Sequence, residues 1–425
     1  MNFGDTIAAL SSGRPPAAVA IIRTSGPRAN AAAQALAGPL PAPRQASLRT
    51  LRHPQTGAEL DSALLLRFDA PLTATGEDIV EYQCHGGRAV VAAILDALTS
   101  LGLRQAEPGE FTRRALANGR IDLTEAEGLA DLLESETESQ RRAALALAGG
   151  TLSRQIDAWQ SIVLDLSARA EAAIDYVGDE DETATDTSDL RAEALALAAE
   201  LDHWLARPRA ERLKDGIRVV VAGPPNAGKS SLVNALAGSD RAIVTDVAGT
   251  TRDSIEVPLA IDGVPIVLID TAGLRETNDA VESFGIARAR SEAARAEILL
   301  WLGNPAKAPA HPHLLLIAPK SDLGARGGDG ASSVSALTGA GIPQLLGRLG
   351  VAATSLLPAE GDVALNQRQA TAVAEAADLL RTAPTDLLLL AETLRSTRVA
   401  FDRLTGRAGV EDAIDALFTR FCLGK

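Results

Sequence analysis

The sequence predicts a multidomain chain: an α+β N-terminal domain, a helical bundle domain, and an α/β domain inserted between the two halves of that bundle. Three observations predict it. Short apolar runs broken by Gly and Pro fill residues 1 to about 118. From Leu123 onward apolar residues recur at intervals of three and four, the period of a helix packed on one face. A buried strand, a Gly-rich loop and a helix open a third pattern at Ile217, where strands and helices alternate until about residue 350. The expected segments are 1–118, 119–215, 216–352 and 353–425. Insertion of one domain into another is tolerated when the ends of the insert lie close together.

Each element follows from its residues. "AAVAIIRTSGP" reads as a strand ended by Ser25, Gly26 and Pro27; "SALLLRFDAP" is another, stopped at Pro71. "EDIVEYQCHGG" is a third, closed by Gly86 and Gly87, and "RAVVAAILDALTSLG" is the helix after it. Helical runs cover 123–150, with a break at Gly149 and Gly150, then about 151–174 and 188–207. Between the last two, "DYVGDEDETATDTSD" is acidic and polar, the composition of a solvated loop rather than a metal site. Further helices are expected at about 364–381, 386–404 and 410–421.

Composition excludes several classes. No run of about 18 apolar residues exists, so no membrane span is expected. The opening "MNFGDTIAALSSG" lacks a basic stretch and does not read as a secretory signal. Two cysteines, Cys84 and Cys422, cannot form a disulfide framework, which fits a reducing cytoplasm. Adjacent Cys84 and His85 do not have metal-ligand spacing and read as structural. A net charge of −14 repels phosphate backbones, so tight unaided binding of nucleic acid is not expected. The ending "CLGK" does not fit a prenylation box, whose last residues are two aliphatics and a small or apolar residue.

"IRVVVAGPPNAGKSSLVNAL" carries the sharpest chemistry. Gly223 to Ser230 fit G-x-x-x-x-G-K-S between a strand and a helix, the context in which backbone N–H groups cradle phosphates. Lys229 offers a point charge to the outer phosphates and Ser230 a Mg²⁺ ligand. Downstream motifs resemble those of a translation-factor-type GTPase. "AGTTRD" (248–253) resembles the first switch, with Thr251 as second Mg²⁺ ligand. "VLIDTAGLRE" ends a strand at Asp270, and Gly273 would donate to the γ-phosphate. "VSAL" (334–337) resembles the loop under guanine. The expected contacts in the phosphate loop are Asn226, Ala227, Gly228, Lys229, Ser230 and Ser231. In the first switch they are Thr245, Asp246, Val247, Ala248, Gly249, Thr250 and Thr251. The second switch adds Asp270, Thr271, Ala272 and Gly273, and the base is met by Lys320, Asp322, Ser335, Ala336 and Leu337.

Two departures stand out. The base-reading pattern N-K-x-D appears here as "PKSD", so Pro319 cannot supply a side-chain amide, while Asp322 can still accept from guanine N–H groups. After Gly273 comes Leu274, where many GTPases carry a Gln that orients water. A monovalent cation held by Asn226 and switch carbonyls would supply the missing positive charge, and Glu282 would orient the water through an intermediary.

Taken with "DTIAALSSG", "AVAIIRTSGP", "TGEDIVEYQCHGG", "EPGEFTRRALANGRIDLTEAEGLADL" and "FCLGK", these motifs resemble the tRNA-modification GTPases of the MnmE/TrmE type over nearly the whole chain. The resemblance implies a tetrahydrofolate-binding-like N-terminal domain, a helical domain and an inserted P-loop GTPase domain. It implies a cytoplasmic homodimer working with a flavoprotein partner of the MnmG/GidA type on the wobble uridine of certain tRNAs. By motif, Arg23, Glu81, Arg120 and Lys425 would contact a 5-formyl- or 5,10-methylene-tetrahydrofolate. Potassium would be held by Asn226, Thr245, Val247 and Thr250, Mg²⁺ by Ser230 and Thr251, and water by Glu282. Arg23 and Arg120 suit the carboxylates of the folate tail, and Glu81 suits pterin N–H groups. The resemblance puts the tail at the folate domain, which makes Cys422 a candidate in the modification chemistry. A ribosome-assembly switch is the alternative class; the acidic charge and the N-terminal motifs oppose it. A non-hydrolysing scaffold is a third, motivated by "PKSD" and the short segment between Trp301 and Ala331, and opposed by intact Lys229, Ser230, Thr251 and Asp270.

Overall fold

The structure is a computed structural model. It describes residues 4–176, 188–239, 242–244, 255–270, 292–324, 330–359, 362–408, 411–421 and 424. The chain divides into two compact units, residues 1–130 with 402–425, and residues 131–401.

The first unit is built on a six-stranded sheet of order β3-β4-β5-β2-β1-β6. Its strands are β1 (Ile7–Leu10), β2 (Val19–Ser25), β3 (Ser47–Arg52), β4 (Glu59–Phe68), β5 (Ile79–His85) and β6 (Arg104–Gln105). Neighbours run antiparallel except β1 and β6. Alternation along β2 and β5 sends Ala20, Ile22, Val80, Tyr82 and Cys84 into a core. Helices α1 (Ala29–Ala37) and α2 (Arg88–Ser100) complete that core with Leu36, Ile94 and Leu98. The alternate residues Ile21, Arg23, Glu81 and Gln83 are only half-buried on the opposite face. Helix α3 (Glu110–Ala117) sets Phe111 against Ile7 and Ala9.

The helical run expected over 123–150 is two helices, α4 (Leu123–Glu134) and α5 (Glu138–Ala148). Thr137 breaks it. Its side chain accepts from the Gln140 N–H while the Gln140 side chain accepts from the Thr137 N–H, a reciprocal cap that starts a new helix.

In the second unit, helix α6 (Thr151–Tyr176) buries Leu152, Ile156, Trp159, Val163, Leu166, Ala170 and Ala173, an alternating four-and-three spacing. Trp159 stacks on Phe401 at 5.9 Å and meets Trp204 edge-on at 5.4 Å, and its Nε1 donates to Glu200 at 2.8 Å. Helices α7 (Ser188–Leu205), α11 (Gln367–Arg381) and α12 (Leu387–Thr405) belong to this bundle. The bundle thus draws on sequence before and after the α/β segment. A short helix, α8 (Glu211–Lys214), leads into that segment.

The α/β segment holds a seven-stranded sheet of order β13-β12-β11-β7-β10-β9-β8. Five strands run parallel: β7 (Ile217–Ala222), β10 (Val264–Asp270), β11 (Ile298–Leu302), β12 (Leu314–Ala318) and β13 (Ser332–Ser333). Strands β8 (Ala242–Val244) and β9 (Ile255–Ile261) add an antiparallel edge, joined to β10 by a hairpin at Asp262–Gly263. Both hairpin residues have positive φ, as a tight two-residue turn requires. Val219, Val220 and Val221 are all fully buried, because β7 is covered on both faces. One face is covered by α9 (Lys229–Ala237) and α10 (Ile342–Thr354). The last helix, α13 (Glu411–Phe418), returns to the first unit, where Leu417, Phe418 and Phe421 pack on Leu123, Ala126 and Ala130 of α4. Among the described residues, no helix is long and apolar enough to cross a membrane.

Candidate functional site

The phosphate loop lies between β7 and α9. Gly223 has φ +154, and a Cβ there would sit 2.2 Å from the Leu302 carbonyl oxygen, so only glycine lets the chain leave the sheet at this point. Asn226 and Gly228 also take positive φ, which curls the loop ahead of the helix. Lys229 is the first residue of α9, and its Nζ donates to the carbonyls of Gly223 at 3.1 Å and Pro224 at 3.0 Å. The ammonium therefore lies folded over its own loop. Ser230 and Ser231 are exposed in the first turn of that helix. Asp270 ends β10, is 1% exposed, and pairs in register with Val221, two residues before Gly223. The sheet thus brings the loop and the acid to the same carboxyl edge, where α/β folds bind ligands.

The base-reading segment follows β12. Lys320 has φ +60 and its Nζ donates to the Asn226 carbonyl at 3.1 Å, tying this segment to the phosphate loop. Asp322 is exposed in a single 3₁₀ turn, Ser321–Leu323. The loop after β13 is shaped by Ser335, which is fully buried. Its N–H donates to the Ala340 carbonyl at 2.9 Å and its Oγ accepts from Thr338 N–H at 3.2 Å. Leu337 next to it is 86% exposed. Thr245 to Thr251, Thr271, Ala272, Gly273, Leu274, Glu282, Cys422, Lys425 and most of the acidic loop at 177–187 lie outside the described residues.

A second constellation lies in the first unit. Arg23 and Glu81 face each other in register on β2 and β5. Arg23 Nε and Nη2 donate to the same Glu81 Oε1, at 2.9 and 2.7 Å, and the guanidinium sits 5.7 Å from the Phe111 ring centroid. The two side chains keep 24% and 17% exposure, so the pair is partly accessible. The register puts these opposite charges side by side on one face, where they form an ion pair. Arg120 Nε donates to the Thr73 carbonyl at 3.1 Å, and its side chain lies beside Gly76.

The tail also comes here. Gly424 has φ +92, and a Cβ on it would lie 2.1 Å from the Leu10 carbonyl oxygen. Leu10 pairs with Ile22, the neighbour of Arg23. Gly424 is thus brought against the end of β1, far from it in sequence.

Sequence reasoning missed a buried network within this unit. Arg114 is 0% exposed and donates to Asp5 Oδ1 at 2.7 Å, Glu110 Oε1 at 2.9 Å and both Glu77 oxygens at 3.2 Å. Arg104 bridges Asp5 and Glu110, and Ser25 donates to Glu77 at 2.7 Å. Burial works to raise the Glu110 carboxyl, but hydrogen bonds from Arg104, the Glu107 N–H and Arg114 hold it below the usual range. Asp5 is held down likewise by Arg104 and Arg114 against its burial. The signal was "EFTRRALANGR", where an acid and an arginine four apart share one helix face.

Cys84 is buried, with its Sγ 3.5 Å from the Ala20 carbonyl; burial, then the Asp61 charge, push its thiol up to about 11. His85 Nδ1 lies 2.8 Å from Asp61 Oδ1. Among the described residues, no group of His, Cys, Asp and Glu is arranged to hold a metal ion.

Known proteins match this chain along its length. A family model described as "GTP-binding protein TrmE N-terminus" matches residues 6–120, and one described as "MnmE helical domain" matches residues 123–422. The chain is 52% identical to the "tRNA modification GTPase MnmE" of Novosphingobium aromaticivorans, over 99% of this chain and 100% of that protein. It is 54% identical to the protein of the same name from Rhizorhabdus wittichii, over 100% of this chain and 97% of that one. For the Erythrobacter litoralis protein the identity is 53%, over 99% and 100%. The fold is the one these matches require, and the chain belongs to the tRNA modification GTPase MnmE family, a family of GTP-hydrolysing enzymes.

Proposed function

We propose that this chain is a potassium-dependent GTPase. With a flavoprotein partner of the MnmG/GidA type it installs a carboxymethylaminomethyl or aminomethyl group at C5 of the wobble uridine of certain tRNAs, drawing one carbon from a tetrahydrofolate. The observation that carries the nucleotide half is the curled loop from Gly223 to Lys229, with Lys229 folded over its carbonyls at 3.0 and 3.1 Å. Anionic oxygens entering the loop take over the Lys229 ammonium, and the N–H groups at the start of α9 face them.

The donor chemistry suits the ions. Ser230 and Thr251 hydroxyls would be hard oxygen ligands for Mg²⁺, and Asp270 adds an acid at the end of β10. Asn226, with Thr245, Val247 and Thr250, offers neutral oxygens suited to K⁺. When bound at these residues, the ions would supply positive charge to the phosphates. Glu282 orients the attacking water in place of the absent Gln.

In the folate half, both Arg23 hydrogen bonds fall on Glu81 Oε1, so Oε2 remains to accept pterin N–H groups. Arg23 then holds Glu81 in place, Arg120 and Lys425 would meet the anionic tail, and Cys422 would take part in the modification chemistry. Two copies of the chain bring their nucleotide sites together, and tRNA is held mainly by the partner, which suits a net charge of −14. A tRNA substrate places the work in the cytoplasm.

The test is steady-state hydrolysis of GTP and ATP by the full chain in matched potassium and sodium chloride. Faster GTP turnover in potassium, with ATP ignored, is expected. Equal rates in both salts would remove the role given to Asn226. For the folate half, Cys422→Ser should abolish tRNA modification while GTP turnover persists.

A further inference from the structure

We infer that a cleft in the second unit, walled by α5, α8, the β9–β10 ribbon and the chain after α10, binds an aliphatic polyamine. Its alkyl chain lies on the apolar floor of the cleft, and its ammonium groups meet Glu136, Asp215 and Asp362. The cleft shares no residue with the phosphate loop, the base-reading segment or the Arg23–Glu81 pair.

The cleft is a cavity of about 1130 Å³, large enough for a small organic molecule. All its lining residues belong to one compact unit. It follows from the insertion. The chain enters the α/β segment through α8 and leaves it after α10, and the Ala210 N–H donates to the Leu365 carbonyl at 3.2 Å where the two connections meet. A second brace joins α5 to the sheet: the Ser139 N–H donates to the Gly263 carbonyl of the β9–β10 hairpin at 3.4 Å. The floor among these elements is apolar. Ala143 and Leu147 of α5, Leu213 of α8, Val264 of β10, and Leu357 and Val363 after α10 line it.

The charges around the floor decide the class of ligand. Seven carboxylates and three cations line the cleft. Each cation is already paired: Arg142 with Glu138 at 2.7 Å, Lys214 with Asp131 at 3.4 Å, and Arg218 with Glu292 at 3.1 Å. Glu136, Asp215 and Asp362 form no salt bridge among the described residues. A phosphate or carboxylate ligand would thus meet net negative charge and cations already engaged. Asp215 is open to solvent yet crowded by protein. Burial pushes its carboxyl above the usual range, against the pull of Lys214 and with the push of Glu211 and Asp131. An ammonium supplies the partner these acids lack, and methylenes suit the floor. The three acids come from separate segments: Glu136 before α5, Asp215 after α8 and Asp362 after α10. Amines spaced along a chain suit them better than a compact metal ion does. Among the described residues, no group of His, Cys, Asp and Glu is arranged to hold a metal.

The experiment is calorimetric titration of the full chain with 1,3-diaminopropane and 1,8-diaminooctane at neutral pH and equal ionic strength. Both are dications and differ only in methylenes. The longer diamine is expected to bind at one site per chain, at least about tenfold more tightly than the shorter, because the floor takes up the added methylenes. Asp215→Asn is expected to weaken the longer diamine at least about fivefold. Asp96→Asn, on α2 in the first unit, is expected to leave it within about twofold. Equal affinity for the two diamines would overturn the inference, because attraction to a surface of net charge −14 depends on charge alone. Binding that ignores Asp215→Asn would overturn it too, as would no binding of the longer diamine in the millimolar range. The comparison of the two diamines on the unmodified chain decides the question even if Asp215→Asn does not fold.

Discussion

Lys229 and Gly223 show how much one residue can decide. The lysine holds two carbonyls of its own loop, and anionic phosphate oxygens are a better partner for its ammonium than neutral carbonyls are. Lys229→Ala should therefore weaken GTP binding by about 10- to 100-fold, the scale of a charge-assisted hydrogen bond. The fold should survive, because alanine suits a helix start; a fluorescent GDP titration reads the loss and circular dichroism the fold. Arg23 is a contrast. Its pair with Glu81 keeps partial exposure, so Arg23→Ala should cost under about 1 kcal/mol of stability. It should nevertheless weaken tetrahydrofolate binding, because Glu81 loses the group that orients it; calorimetric titration with 5-formyltetrahydrofolate separates the two effects. Cys84 is chemically silent. Its buried thiol, pushed up to about 11, should resist iodoacetamide at about pH 8 until the chain is denatured, as peptide mass mapping would show. The phosphate loop was legible in the sequence because its function depends on residues within eight positions of each other. The Arg23–Glu81 pair was not, because its members are 58 residues apart and only the β2–β5 register joins them.

At the scale of elements, α13 anchors the tail. Phe418 is 4% exposed, meets Phe421 at 5.7 Å, and lies where a Cβ on Gly109 would sit 2.9 Å from its ring. Phe418→Ala leaves a cavity between α13 and α4, with an expected cost of about 3–5 kcal/mol to the first unit, read by urea unfolding. Gly424→Ala is milder for stability and harsher for function. Its Cβ cannot fit beside the Leu10 carbonyl, so the tail should leave β1 while the helix stays docked. Modification of tRNA should fall with GTP turnover unchanged. The long helices were legible from their apolar period. The break between α4 and α5 was written in Thr137 and Gln140, a three-residue cap signature easily lost in an apolar run. Strands β1, β3 and β6 had no comparable signal. Ser47–Arg52 has only two leucines, three residues apart, among polar and basic residues at a sheet edge, and Arg104–Gln105 is two residues long.

Over the whole molecule, charge and topology set the response to solution conditions. Asp5 and Glu110 have carboxyls held below their ordinary values of 3.8 and 4.5. A depressed folded pKa contributes stability that is complete above the unfolded value and is lost as pH falls through the folded one. The urea midpoint of the first unit should thus drop below about pH 4, and neutral replacement of Glu110 by Gln should flatten that dependence while lowering stability at neutral pH. The sequence by itself determined the fold class, the phosphate loop, the missing amide at Pro319 and the family. Each of these is a local pattern: a period, a spacing, a run of motif residues. Only the tertiary structure decided that Arg23 holds Glu81, that buried Arg114 gathers Asp5 from 109 residues away, and that Gly424 lies on Leu10. The physical reason is the range of the interaction. Backbone curl and helix period are settled among neighbours in sequence. Ion pairs and close backbone approaches between distant residues exist only after sheet register and helix docking have brought them within a few ångströms.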